Sequence, residues 1–423
     1  MNAAARKIQL IYLTLTLGNT LAASFIWGIN TLFLLDAGLS NLEAFAANAF
    51  FTAGMVLFEV PTGVVADSWG RRVSFLLGTT TLAASTYLYF LLWQLSAPFW
   101  WWAAVSVLLG LGFTFFSGAV EAWLVDALRF SGYEGGLEAV LGRGLMVSGV
   151  AMLVGSVAGG VIAQATNLGV PFLLRVGVLL LMFAVAFWLM RDVGFTPERS
   201  ARPLQATRAV LRASIDDGLK NPPVRYVMLA APFSYGVGIY VFYALQPYLL
   251  ELFGDPHAYS VAGLAAALVA GAQVLGGWMA PRIRSLVRKR TTVLILCGII
   301  GSLILVVLGF TRVFWVALVL LAIWALVSSA GTPVRQAYLN DMIASKQRAT
   351  VLSFDSLMGN TGGVAVQPLL GRSADLYGYP ASLAVGGVIE LIAMPFLLSS
   401  RRQRHPADQA SDSASADKEP RRS

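Results

Sequence analysis

The chain has 423 residues, 57% hydrophobic and only 12% charged, with a mean hydropathy of +0.70 and a formal net charge of +8. That balance excludes a soluble globular domain and places the protein in a lipid bilayer. The basic excess sits in short loops, as membrane topology requires, and this excludes nucleic acid as the expected partner.

A helix that crosses a bilayer needs about 20 apolar residues. Twelve such runs are present, at 8–35, 41–66, 73–95, 98–128, 138–164, 170–190, 225–252, 259–280, 291–310, 312–342, 349–371 and 380–400. Stretches such as VGVLLLMFAVAFWLM do not alternate in polarity as barrel strands do, so the expected fold is all-α. All but four of the 30 Lys and Arg, the exceptions being Arg175, Arg312, Arg335 and Arg372, fall on one side if both termini are cytoplasmic. The positive-inside rule therefore sets that orientation, with the aromatic stretch PFWWW at 98–102 in the opposite headgroup belt.

Taken in chain order, the first run is too long for a signal-peptide core and reads as a retained helix. Between runs two and three lies GVVADSWGRR, which sets Gly63, Asp67, Gly70, Arg71 and Arg72 at fixed offsets. Run four ends in EAWLVDAL, with Glu121 and Asp126, and run five contains AMLVGSVAGG, where Gly155, Ser156, Gly159 and Gly160 space small residues for close helix contact. After run six a polar stretch, 191–224, divides the chain into bundles 1–190 and 225–400; its segment 206–220 has the pattern of either a surface amphipathic helix or a solvated connector. The tail 401–423 has no apolar period and is expected to be disordered. The lone Cys297, in an apolar run, reads as a small core residue, and the two histidines and the acids form no metal-ligand pattern.

The halves echo each other. EAWLVDAL at 121–128 and AVLGRGLM at 139–146 have counterparts in QAYLNDMI at 336–343 and TVLSFDSLM at 350–358. Such duplication about a site between two bundles is a transporter design. With twelve runs and a central linker, the pattern G-x-x-x-D-x-x-G-R-R resembles the cytoplasmic loop signature of the major facilitator superfamily. That resemblance implies two pseudo-symmetric six-helix bundles, and it implies that Asp67 meets the start of the eleventh helix and Arg71 meets Asp126, latching the cytoplasmic side. The run-five motif resembles that of the family's drug:proton antiporters, with Ser156 where proline is usual, although a generic packing motif accounts for the same letters. The basic residue that the family carries in mid-helix four is absent from VSVLLGLGFTFFSG.

Charges inside apolar runs cost about 2.5–3.5 kcal/mol each on insertion scales unless paired. They are Glu59, Glu121, Arg143, Arg175, Arg335, Asp355 and Glu390. Glu121 with Arg143, and Arg335 with Asp355, occupy corresponding places in the two halves and are the expected cross-helix ion pairs. Glu59 and Glu121 are the candidate proton-coupling carboxylates, because the resemblance places runs two and four along the cleft. Asn19, Asn30, Gln246, Gln273 and Gln367, with Tyr235, Tyr240 and Tyr243, are candidate cavity-lining residues or helix-helix hydrogen bonds.

The expected activity is export of a small organic or drug-like compound by alternating access in exchange for protons, by a monomer in the plasma (cell inner) membrane that needs no cofactor or metal. Uptake of a nutrient such as a sugar or organic anion is the rival reading. An enzyme lacks a catalytic cluster here and a channel lacks a filter sequence. In a Cys297→Ser background, Ser96→Cys, between runs three and four, is expected to react with a membrane-impermeant maleimide on intact cells. Ser131→Cys is expected to react only after the membrane is opened.

Overall fold

The computed structural model describes residues 3–116, 118–195, 212, 218–287, 289–343 and 348–409, and these are helical apart from short connections. The first half comprises α1 Ala3–Trp27, α2 Asn30–Asp36, α3 Asn41–Trp69, α4 Arg71–Gln94, α5 Phe99–Thr114, α6 Ala119–Phe130, α7 Leu137–Ala165 and α8 Gly169–Leu189. The second comprises α9 Pro222–Phe253, α10 Tyr259–Leu286, α11 Arg290–Leu308, α12 Phe314–Met342, α13 Arg348–Leu391 and α14 Ala393–Arg402. Eleven segments are long and apolar enough to cross a membrane, and the last of them, Val351–Arg402, turns back at Gly378 and crosses twice. Twelve crossings result. Large apolar side chains such as Leu57, Leu145, Trp278 and Val319 remain exposed on these helices.

Local chemistry sets the boundaries. Ser40 and Glu43 form a reciprocal capping box that starts α3, and Pro222 and Pro223 open α9. Gly70 takes φ +104 between α3 and α4, and Gly378 takes φ +80 at the last reversal, conformations that side-chain-bearing residues rarely adopt. Two runs that read as continuous in the sequence are interrupted. Run one breaks after Trp27, and run four breaks between Thr114 and Ala119, where Gly118 sits in the left-handed region.

Within each half the same pairs touch: the first crossing with the fifth and sixth, the second with the fourth, and the third with the fourth and sixth. Between the halves the contacts also exchange under the pseudo-twofold, α3 meeting α13 and α7 meeting α10. That twofold gives the expected pair of six-helix bundles its physical content. The headgroup expectation for PFWWW needs one correction: Trp100 and Trp101 are exposed, but Trp102 is fully buried against Tyr89 and Phe33.

The tail also differs from expectation. Residues 401–409 are placed against the bundle, ending in a short turn Pro406–Asp408, because Asp408 accepts hydrogen bonds from the backbone N–H and hydroxyl of Thr291 at the start of α11. The rest of the tail, 410–423, and most of 206–220 lie outside the described residues.

Small residues let the halves approach. A Cβ at Gly160 would lie 2.5 Å from the Tyr259 carbonyl oxygen, and one at Gly159 would lie 1.9 Å from that of Phe25. Neither obstacle is a movable side-chain end. Gly159→Ala is therefore expected to destabilise the protein by about 1–3 kcal/mol, the usual penalty of overpacking. Gly142→Ala, on the same helix with nothing within 4 Å of its Cβ, should be neutral or stabilising. Thermal unfolding in detergent compares the two.

Candidate functional site

The crossings come together on the face opposite the termini. There Asp375 accepts hydrogen bonds from the backbone N–H groups of Asn41 and Leu42 at 2.9 and 3.0 Å, so a carboxylate of the second half caps α3 of the first. Tyr379 donates to the Asn41 side chain, and Gln246 donates to the Trp27 carbonyl at 2.7 Å while accepting from the Thr31 N–H at 2.9 Å. Deeper, Gln367 bonds Thr52 at 3.3 Å. Ser156 and Gly160 of α7 abut Gly263 of α10, and Gly155 and Gly159 abut Ser24 and Phe25 of α1, so the run-five motif lies where three helices meet across the two bundles.

Beyond Thr52 the wall changes character. A cavity of about 570 Å³ lies between the halves, lined by Asn19 and Ala23 of α1, by Met55 and Glu59 of α3, and by Leu82 of α4. Phe113, Phe116, Gly118 and Glu121 continue the wall, followed by Arg175 and Leu179 of α8 and Ser353, Ser356, Leu357 and Asn360 of α13. The volume suits a drug-sized molecule. Both carboxylates expected from the sequence therefore meet in one chamber, and Asn19 joins them. Four of the other polar candidates bond between helices instead, Asn30 to Asn48, Gln246 and Gln367 as above, and Tyr240 to Ser382, while Gln273 and Tyr235 are exposed outside this lining.

Arg175 is the charged group that inspection for carboxylates passes over. It is 3% exposed, its guanidinium stacks over Phe113 at 5.7 Å, and its Nε has no hydrogen-bond partner. The titratable groups acting on it are the phenols of Tyr89 and Tyr243, not a carboxylate.

The two expected ion pairs part company. Arg335 grips Asp355 with two hydrogen bonds of 2.6 and 2.5 Å, and a further Arg335 nitrogen contact reaches the Val227 carbonyl. Arg143 instead points to the side-chain oxygen of Gln9 at 3.4 Å, and no ion pair joins it to Glu121 among the described residues. Glu121 stands at an exposed position on the cavity wall, and α1 supplies an uncharged acceptor closer to Arg143. Glu390 lies away from the cavity, buried beside Gly301, with its Oε2 unpartnered, as is the nearby Trp324 Nε1.

On the face of the termini, the GVVADSWGRR loop is held within its own bundle. Asp67 pairs with Arg71 at 2.6 Å, and no ion pair joins Arg71 to Asp126 among the described residues. Asp192, just past α8, accepts from the Arg72 backbone N–H at 3.0 Å and closes on Gly70, where a Cβ would lie 2.3 Å from its Oδ2. Burial pushes the Asp192 carboxyl up from its ordinary range, while the Arg72 N–H and the charges of Arg72 and Arg71 pull it back. Gly63 has open space around it. The start of the eleventh crossing, near Ala349, was the expected partner of Asp67; residues 344–347 just before it lie outside the described residues.

The second half repeats this construction. Asp408 caps α11 as Asp192 caps α4, and Arg290 binds Asp341 at 2.6 Å, the pair corresponding to Arg71 and Asp126. Neither capping aspartate was found by reading the sequence. The available signal was an aspartate a few residues beyond the last crossing of each half.

A sequence profile described as Major Facilitator Superfamily matches residues 12–328 and 287–422. The structure is similar to that of the nucleoside transporter NupG, with a TM-score of 0.77 at 10% identity, covering 95% of this chain and 100% of that one. It is similar to a bacterial homologue of the human lysosomal transporter Spinster in an inward-facing, unoccupied conformation, with a TM-score of 0.74 at 15% identity over 98% and 100% of the two chains. It is also similar to a POT family transporter in complex with 5-aminolevulinic acid, with a TM-score of 0.69 at 10% identity over 92% and 94%. No curated protein matches the sequence.

Asp355→Asn leaves the Arg335 guanidinium without its counter-charge and is expected to lower stability by about 3 kcal/mol. The double change Arg335→Gln with Asp355→Asn should recover most of that loss. A double-mutant cycle on thermal unfolding measures the coupling.

Proposed function

Because the chain belongs to the Major Facilitator Superfamily, we propose that it exports a small organic compound in exchange for protons, through rocking of the two bundles about the cavity between them. The observation that carries this reading is the meeting of Glu59 and Glu121 in a chamber whose wall also includes the apolar Met55, Leu82, Phe113, Phe116 and Leu179. Rocking of the bundles would open such a chamber to each face of the membrane in turn, so that its carboxylates meet the two aqueous phases alternately, as exchange requires.

The face of the termini is cytoplasmic on this reading, because the basic loops lie there. The plasma membrane is the assigned location, and one chain suffices, since both bundles needed to enclose the cavity come from it. The small-residue contact of Ser156 and Gly160 with Gly263 serves as a pivot that seals the outer side while the inner side admits cargo. On this reading the latch of Asp67, Arg71 and Asp126 belongs to the outward-facing arrangement; among the described residues Arg71 pairs with Asp67 and not with Asp126.

The test is flux in proteoliposomes under an imposed pH gradient, using a lipophilic dye as cargo. Wild-type flux should depend on the gradient and run opposite to the proton. Glu59→Gln or Glu121→Gln should reduce gradient-driven flux at least about tenfold, the scale of a lost general acid–base group. Flux that ignores the gradient in the wild type removes the exchange, and flux that runs with the proton makes the carrier a symporter.

A further inference from the structure

A guanidinium that is 3% exposed inside a membrane protein ordinarily carries a bound carboxylate, as Arg335 carries Asp355. Arg175 has none. Its Nε is buried without a partner, the groups acting on it are two phenols, and one of these, Tyr89, is already engaged with Ser106 at 2.5 Å. Stacking on Phe113 satisfies the face of the guanidinium but not its in-plane donors. The same residue lines the central cavity.

We propose that Arg175 is the cargo anchor and that the cargo is an amphipathic carboxylate. Its acid group receives the fork of Arg175 donors, and its apolar body lies against Phe113, Phe116, Leu82 and Leu179. The planar guanidinium presents two parallel donors at the spacing of carboxylate oxygens, and the desolvated surroundings strengthen a charge-assisted pair that bulk water would weaken. The wall supplies what the other end of such a molecule requires. Leu179 stands one helical turn from Arg175 on α8, Leu82 faces it from α4, and the two phenylalanines of α5 and its following turn complete an apolar slot. Glu59 and Glu121 line the same cavity, but neither forms an ion pair with Arg175 among the described residues. A bound carboxylate would thus supply the counter-charge that Arg175 lacks among the described residues. This inference rests on the transport reading for the role of the cavity, but it makes a separate claim about chemistry.

The experiment is thermal unfolding of the purified full chain in detergent at neutral pH with phenylacetate, phenylacetamide or phenethylamine. These three probes share a ring and differ in charge. Phenylacetate is expected to raise the melting temperature of the wild type in a saturable way, by a few degrees well above its Kd, while the amide and amine leave it in place. In Arg175→Gln the carboxylate response should vanish, and in Arg175→Lys it should survive with an affinity at least about tenfold weaker, because the bidentate geometry is lost. Equal responses to all three probes in the wild type overturn the proposal even if Arg175→Gln fails to fold, and so does a carboxylate-selective response that persists in Arg175→Gln. Gradient-driven dye flux, measured on the same preparations, separates the two readings. Carboxylate-selective binding without gradient-driven flux contradicts the transport reading alone, whereas gradient-driven flux without carboxylate selectivity contradicts this inference alone.

Discussion

In hydrocarbon there is no water to solvate a charge or an open hydrogen-bond donor, so every such group must find a partner in the protein or face a watery cavity. That constraint organises this molecule. Where α4 and α11 begin at the basic face, an aspartate from beyond the last crossing of the same half closes the exposed N–H groups. Where an arginine must lie among helices in the second half, an aspartate from the next helix grips it. Where the bundles meet on the far side, Asp375 reaches across to cap α3. Glu59, Glu121 and Arg175 come instead to line the chamber between the bundles.

The same solvent removes the hydrophobic drive for helices to associate, leaving close contact and polar bonds to do it. The junction of α7 with α1 and α10 shows how. Gly155, Gly159 and Gly160 offer so little bulk that backbone carbonyls sit where side chains otherwise would. Such a contact holds firmly yet carries no deep interlocking of side chains, which suits a surface about which rigid bundles turn. The hydrogen bonds of Asn41, Thr31 and Gln246 across the far face add directional closure that can be exchanged for water when that face opens.

Much of this was legible in the sequence. The twelve crossings follow from apolar length, the family from the glycines and arginines after run two, and the Arg335–Asp355 partnership from corresponding places in the two repeats. Other features were hidden for physical reasons. Asp192 and Asp408 act on residues more than a hundred positions away, so no local spacing announces them. The break of run four at Gly118 comes without proline, in a stretch whose hydropathy is unbroken. Glu121 and Arg143 matched their counterparts by position, but Gln9 of α1 stands nearer to Arg143. For Gln246 and Gln367 the sequence left open cavity lining or helix–helix hydrogen bonds, because a polar side chain in lipid serves either, and here they join helices. Arg175 was legible as a charge within an apolar run, but its place in the cavity wall depends on helices far apart in the chain.

The account stands or falls on the two bundles moving as rigid halves about the cavity. Double electron–electron resonance between spin labels at Ser131→Cys and Ser285→Cys reports the basic face across the halves, and labels at Thr166→Cys and Asp255→Cys report the opposite face, in a Cys297→Ser background. Acidification, or addition of a transported compound, should shorten the first distance in part of the population while lengthening the second in the same fraction. Two distances that stay fixed under every condition in which flux is measured, or that change in the same direction, would contradict alternating access by rocking bundles.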